Sequence, residues 1–370
     1  MLKVRCHRDG LFEAMQVVSR AVSGRSTLPI LNNVFIEGTD DGLRFVATDL
    51  ELSIEATVRA TVEEQGALTA PARVLAEVVQ NLPPADVTLA VDENNTVTVG
   101  CQKSEYLIRG LPSEEFSTLP EIEGGTEFTV AQETMKSVIE QVTFASSPDE
   151  TRPMLTGALF RLGDGQMNMV ATDTHRLALR KVSGLEGLPE TPMKAIAPAR
   201  ALNELARALP RGQDEPLRVT LGERLIRFRA PGLSIASRLI EGEFPNYEKV
   251  IPTEFDRSVQ TKREVFATAL RRALIVARED ANRVVLDLEA GTLTITADSQ
   301  DIGRASEEVP AALDGPPIKI AFNGRYLLDA LSAITSDDVE MQLSGPLSPG
   351  AVRPAGDADY LYVLMPMQIM

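Results

Sequence analysis

No tryptophan occurs in the 370 residues, aromatic side chains make up 5% of them, and histidine and cysteine appear twice each. So few aromatics disfavour a surface that stacks the bases of single-stranded nucleic acid. Cys6 and Cys101 are too few and too far apart for a disulfide framework or a C-x-x-C metal knuckle. His7 and His175 stand alone, with no H-E-x-x-H, so no metal site is expected. Neither GK[ST], G-x-G-x-x-G nor G-x-S-x-G occurs, which removes nucleotide, dinucleotide and nucleophile-elbow chemistry; no cofactor and no catalytic residue is expected. Long apolar runs are also missing, so no membrane helix is expected. His7, Arg8 and Asp9 fall where an export signal needs its apolar centre, and a cytoplasmic protein is the expectation. Positive charge is in deficit: 37 Lys and Arg against 53 Asp and Glu give a net −16, which at face value opposes phosphate binding.

What is present is a repeat. VATD at 46 to 49 returns at 170 to 173, and ITAD follows at 295 to 298, so the aspartates lie 124 and 125 positions apart. TAPARVLAEVVQNLP from 69, IAPARALNELARALP from 196 and IAFNGRYLLDALSAI from 320 keep the same period, as do YLIRGLP from 106, SIASRLI from 234 and YLYVLMP from 360. Three markers in one order define a threefold repeat.

Each repeat reads helix, strands, helix, strands. Apolar residues at three-and-four spacing predict helices over 9–23, 131–146 and 262–278. A second set is predicted to start near 71, 198 and 323, with Pro71 and Pro198 in a first turn and Asn323 as an N-cap. Alternating β-branched segments such as LRFVATDLELSIEATV predict strands. Linkers rich in proline, glycine and acid at 111–127 and 241–256 divide the chain into 1–125, 126–255 and 256–370. The expected class is α+β: three repeated domains, each with two helices packed on antiparallel sheets.

The helices differ in sign from the remainder of the chain. Over six helical spans there are thirteen Lys or Arg against seven Asp or Glu, a net +6 that leaves −22 elsewhere. A basic helical face follows phosphates without reading bases, so duplex DNA bound without sequence preference is the expected ligand. Asp49 and Asp173 in the repeated ATD invite an acid–base pair, but they recur as equivalents in separate repeats, and a turn-closing role is the reading favoured.

TLPIL near the start, ATDTHRLA in the centre, FPNYEKVIP and the terminal MPM, in order and over the whole chain, make the sequence similar to the beta subunit of bacterial DNA polymerase III, the sliding clamp. The resemblance implies a head-to-tail homodimer whose six clamp domains form a ring, helices inward and sheets outward. Twelve helices side by side at roughly 9 Å make a circle of axes about 34 Å across, and subtracting a helix diameter of about 10 Å leaves room for a duplex. It implies DNA contacts at Arg25 and Arg73, and by repeat position at Arg200 and Arg325. It places the dimer seam at Tyr106, Ile108, Ile275 and Val276.

A pocket for a short peptide motif of the Gln-Leu-x-Leu-Phe kind is implied at Leu155, Thr172, His175, Arg176 and Leu177, at Pro245 and Val250, and at Val363, Met365, Pro366 and Met367. Thr174, Lys249 and Gln368 depart there from the family's glycine and arginines, which bears on which motifs bind. The implied partners are the replicative polymerase, the clamp loader that opens the ring and other motif-bearing proteins, with no membrane. After YLYVLMP the sequence stops where the other repeats enter a linker, so the tail is expected to line this pocket. The competing class is a repeat-built interaction scaffold with no role on DNA.

Overall fold

The structure, a computed structural model, describes residues 2–22, 28–212 and 214–369. Among the described residues the α-helices are α1 (Arg8–Val18), α2 (Ala72–Asn81), α3 (Gln132–Val142), α4 (Ala199–Ala208), α5 (Arg263–Ala277) and α6 (Gly324–Ala333), two to each repeat. Among the described residues none is long and apolar enough to cross a membrane. The chain forms two compact units, Met1–Met135 with Arg200–Leu239 and Lys136–Ala199 with Ile240–Met370.

The first unit holds two antiparallel sheets. One has five strands in the order Thr61–Glu64, Leu2–His7, Asp86–Val91, Thr96–Cys101, Ser104–Arg109. The other has eight, and at its middle Leu233–Arg238 of the second repeat pairs with Leu52–Val58 of the first, Ile235 opposite Ile54. Strict alternation explains the strands: Leu2, Val4 and Cys6 point inward while Lys3, Arg5 and His7 face solvent. Leu11, Ala14, Met15 and Val18 give α1 one buried stripe. The His7 imidazole caps that helix, accepting from the Asp9 N–H at 3.4 Å.

The second unit is built on a twelve-stranded antiparallel sheet. Here Arg176–Ser183 of the second repeat pairs with Tyr360–Leu364 of the third, Leu177 opposite Val363. Helix α5 buries Phe266, Ala267, Leu270, Ala273, Leu274 and Ala277. Asn323 is the N-cap of α6, its side chain accepting from Arg325 N at 3.0 Å and Tyr326 N at 3.4 Å. Pro71 falls one place earlier than the expected first turn: it ends its strand and stands as the cap of α2, where its missing N–H is not needed.

Candidate functional site

The repeated ATD builds one turn twice. Asp49 Oδ1 accepts from the N–H groups of Glu51 and Leu52 at 3.0 and 2.8 Å. Asp173 Oδ1 accepts from His175 and Arg176 at 2.9 and 3.0 Å. The preceding threonines also match, Thr48 Oγ1 donating to Leu52 O at 2.9 Å and Thr172 Oγ1 to Arg176 O at 2.6 Å. Both aspartates therefore close strand-end turns. The turn forces the next residue into the left-handed region, Leu50 at φ 75° and Thr174 at φ 80°. That explains why glycine suits position 174.

The Asp173 turn lies between Val170 and Leu177, two members of one packed apolar cluster in the second unit. The cluster also holds Leu159, Leu179, Ile196, Tyr247 and Val363. Of the residues expected to line a peptide pocket, Leu155, Thr172, Leu177 and Val363 are buried. Thr174, His175, Pro245 and Lys249 are exposed, and Val250, Met365, Pro366 and Met367 are half-buried. The tail is pinned at two points: Met365 N donates to His175 O at 2.9 Å and Met367 N to Ala321 O at 2.8 Å. Half-buried Met154, Phe244, Ile251 and Leu361 pack against the same cluster. Sequence reasoning missed them, although Phe244 and Ile251 stand out as apolar residues inside an acidic linker.

Arg176 is brought to this region but its guanidinium is engaged elsewhere. Nε meets Asp173 at 3.0 Å, Nη1 meets Asp329 at 2.6 Å, Nη2 meets the Phe144 carbonyl at 2.8 Å, and the Tyr326 ring lies 4.2 Å beneath. Burial opposes its charge, but Tyr362, Asp329 and Asp173 outweigh that and hold its pKa above the ordinary value. Arg176 thus fastens the turn to α6.

The expected DNA-contacting residues have different surroundings. Arg25 lies outside the described residues. Arg73 and Arg325 are exposed on α2 and α6 and make no ion pair among the described residues. Arg200 is ion-paired with Asp49, and its second nitrogen reaches the Arg20 carbonyl at 3.4 Å. Other cations on or at the start of the helices are also compensated: Arg207 by Glu204 at 2.6 Å, Arg271 by Glu264 at 3.1 Å, Lys262 by Asp338 at 2.8 Å and Arg272 by Glu307.

Of the four expected seam residues, Tyr106 and Ile275 are 41% and 60% exposed, Val276 is half-buried and Ile108 is buried. Leu107, between two of them, is 68% exposed. Tyr106 sits opposite buried Val99, on the face whose inner end covers Ile108. The layer that shields Ile108 stops short of Tyr106.

A threefold α+β repeat whose sheets run from one repeat into the next is the architecture of processivity clamps. Models of the DNA polymerase III beta subunit match the chain in order, the N-terminal domain over residues 2–120, the central domain over 129–246 and the C-terminal domain over 248–368. The beta sliding clamp of Synechococcus elongatus is 34% identical over 375 residues, covering 100% of both chains, and that of Bacillus subtilis is 31% identical, covering 99% of this chain and 100% of its own. The crystal structure of the Bacillus subtilis DNA polymerase sliding clamp superposes with a TM-score of 0.93 at 30% identity. The Pseudomonas aeruginosa sliding clamp bound to griselimycin gives 0.94 at 31%; both comparisons cover 100% of each chain. The chain belongs to the DNA polymerase III beta subunit family.

Proposed function

We propose that two copies of this chain join head to tail into a six-domain ring that encircles duplex DNA and tethers the replicative polymerase to it. The ring works in the cytoplasm, catalyses nothing itself, and offers each partner, the clamp loader included, the cleft bordered by His175 and the tail. Residues 1–125, 126–255 and 256–370 are its three clamp domains.

One observation carries this reading: two strand edges break the rule that joins the repeats. Inside the chain, the last strand of the second repeat pairs with the fourth of the first, and the last strand of the third pairs with the fourth of the second. By that rule the last strand of the first repeat, Ser104–Arg109, should meet a fourth strand, yet it ends its sheet. In the third repeat the fourth strand, Gly303–Asp314, has a second neighbour only from Ala311 onward. Unpaired edges beside apolar side chains are costly to leave open. Each edge is what the other lacks, and two copies satisfy both edges twice, which closes a ring. Topology then replaces tight binding, and the helical face needs only mild, sequence-independent attraction for phosphate.

Ile275 stands exposed on α5, which packs on the strand Gly303–Asp314. Ile275→Asp places an unpaired carboxylate in the desolvated seam and should weaken the dimer by at least about 30-fold, roughly 2 kcal/mol. Sedimentation should show the parent at twice 40.1 kDa and the variant shifted to the single-chain mass. A parent that stays monomeric contradicts the ring, and an unshifted variant removes Ile275 from the seam.

A further inference from the structure

The first unit contains a cleft of about 440 Å³ with strongly apolar walls, formed by Leu28, Pro29, Ile30, Leu50 and Leu111 with Glu115 at its rim. None of its lining residues is among those proposed above for the seam, the DNA face or the partner cleft. Its position in the repeat is what gives it meaning, because it falls where the second repeat carries the partner cleft.

The equivalence holds residue by residue. Pro29, Ile30 and Leu31 form a 3-10 turn 124 positions before Pro153, Met154 and Leu155, and Leu31 and Leu155 are 4% and 3% exposed. Leu50 occupies the left-handed position of the Asp49 turn, as Thr174 does in the Asp173 turn. Phe116 stacks on Phe35 with ring centroids 5.5 Å apart, where Phe244 packs on the cluster that holds Leu159. Leu111 bonds to Thr69 in both directions, at 3.1 and 3.0 Å, where Ile240 donates to Ile196 at 2.8 Å. Gly110 permits that approach, since an added Cβ there would lie 2.1 Å from the Thr69 carbonyl oxygen. Even the wall made by the tail has its counterpart: Arg238 N donates to Glu51 O at 2.9 Å, as Met365 N does to His175 O.

The differences set the ligand. Where the partner cleft has Met365, the cleft of the first unit has Arg238 of the second repeat, whose Nε donates to the Leu50 carbonyl at 3.0 Å and whose charge lies 3.6 Å from Glu51. Where the partner cleft has His175, the first repeat has Glu51, paired with Arg238. Glu115, which lines the cleft, and its exposed neighbour Glu114 make the rim acidic. Apolar walls of this size take one or two large side chains of an extended peptide, and an acidic rim selects a basic flank.

We propose that the first repeat is a second peptide-docking site, for an extended segment of a partner protein that carries a Leu-Phe pair flanked by lysine. The proposal rests on reading the cleft of the second unit as a peptide site, and two different peptides separate the two ideas.

Calorimetry on the full-length protein uses a Leu-Phe decapeptide with a lysine on each side, and a Gln-Leu-x-Leu-Phe peptide in parallel. Leu28 is 51% exposed, so Leu28→Glu leaves the fold intact. That variant should lose the lysine-flanked peptide by at least tenfold while keeping the other. Deletion of residues 366–370 should do the reverse. Methyl NMR of the intact protein should show the lysine-flanked peptide shifting Leu28 and Ile30 first. Failure of that peptide to saturate any site up to millimolar concentration, or its loss on tail deletion with no effect of Leu28→Glu, overturns the second site. Failure of Gln-Leu-x-Leu-Phe on the intact protein instead overturns the partner cleft.

Discussion

Thr174 is a β-branched residue held at φ 80° because the Asp173 carboxylate and the Thr172 hydroxyl fix the turn around it. A left-handed conformation costs such a side chain about 1–2 kcal/mol, against which glycine loses about 0.5–1 kcal/mol of chain entropy. Thr174→Gly should therefore raise the urea midpoint, by a stabilisation of up to about 1 kcal/mol. A lower midpoint would mean that the threonine side chain makes contacts worth more than the strain. Glu340 is one source of acid dependence in the second unit. Burial pushes its pKa up, but Arg353 at 2.8 Å and Ser258 at 2.9 Å outweigh burial and bring it below 4.5. A depressed carboxylate contributes stability that is complete above its unfolded value and lost as pH falls through the folded one. Denaturation midpoints of Glu340→Gln should thus fall less steeply than the parent's below about pH 4.5; parallel curves would show that Glu340 does not carry this acid dependence. At this scale the turn role of Asp49 and Asp173 was legible, because equivalents in separate repeats cannot form one acid–base pair. The destination of Arg176 was not: its partners Asp329 and Phe144 lie 153 and 32 positions away, and only Asp173 is a sequence neighbour.

The elements themselves were largely written in the period of their apolar residues, and Asn323 announced α6. What the pattern does not carry is which strands end a sheet. The strand Ser104–Arg109 carries a run of three apolar residues, Tyr106 to Ile108, and its place at the end of the sheet leaves Leu107 and Tyr106 exposed. The tail shows the same limit, since PMQIM reads as apolar without saying what it meets. Its hydrogen bonds give the answer: Met365 follows the His175 strand end and Met367 reaches the strand Ile318–Asn323. Half-buried methionines on an apolar floor adapt to varied ligands. Deleting residues 366–370 should weaken a Gln-Leu-x-Leu-Phe peptide by at least tenfold in calorimetry while the dimer mass is unchanged. Equal affinity for the two proteins would show the tail to be a packed terminus only.

At the scale of the molecule, the repeat reconciles an acidic protein with an anionic ligand. Net charge is −16, yet the helical spans sum to +6, so attraction and repulsion fall on different elements. Ion pairs such as Arg272 with Glu307 and Arg271 with Glu264 temper the helical charge, while exposed Arg73 and Arg325 make no ion pair among the described residues. A weakly attractive face holds DNA poorly by itself; enclosure makes retention independent of affinity. Cys6 and Cys101 are both buried and unpaired, and burial with the nearby Asp86 charge pushes the Cys6 thiol up to about 11, so labels on introduced surface thiols report without interference. The most direct test loads the labelled protein onto a singly nicked circular duplex with a clamp loader and ATP, washes in high salt, and then cuts the circle once. Encirclement predicts that the protein survives the wash on the circle and is released when the circle is cut. Equal retention on the circular and the linear duplex would contradict it.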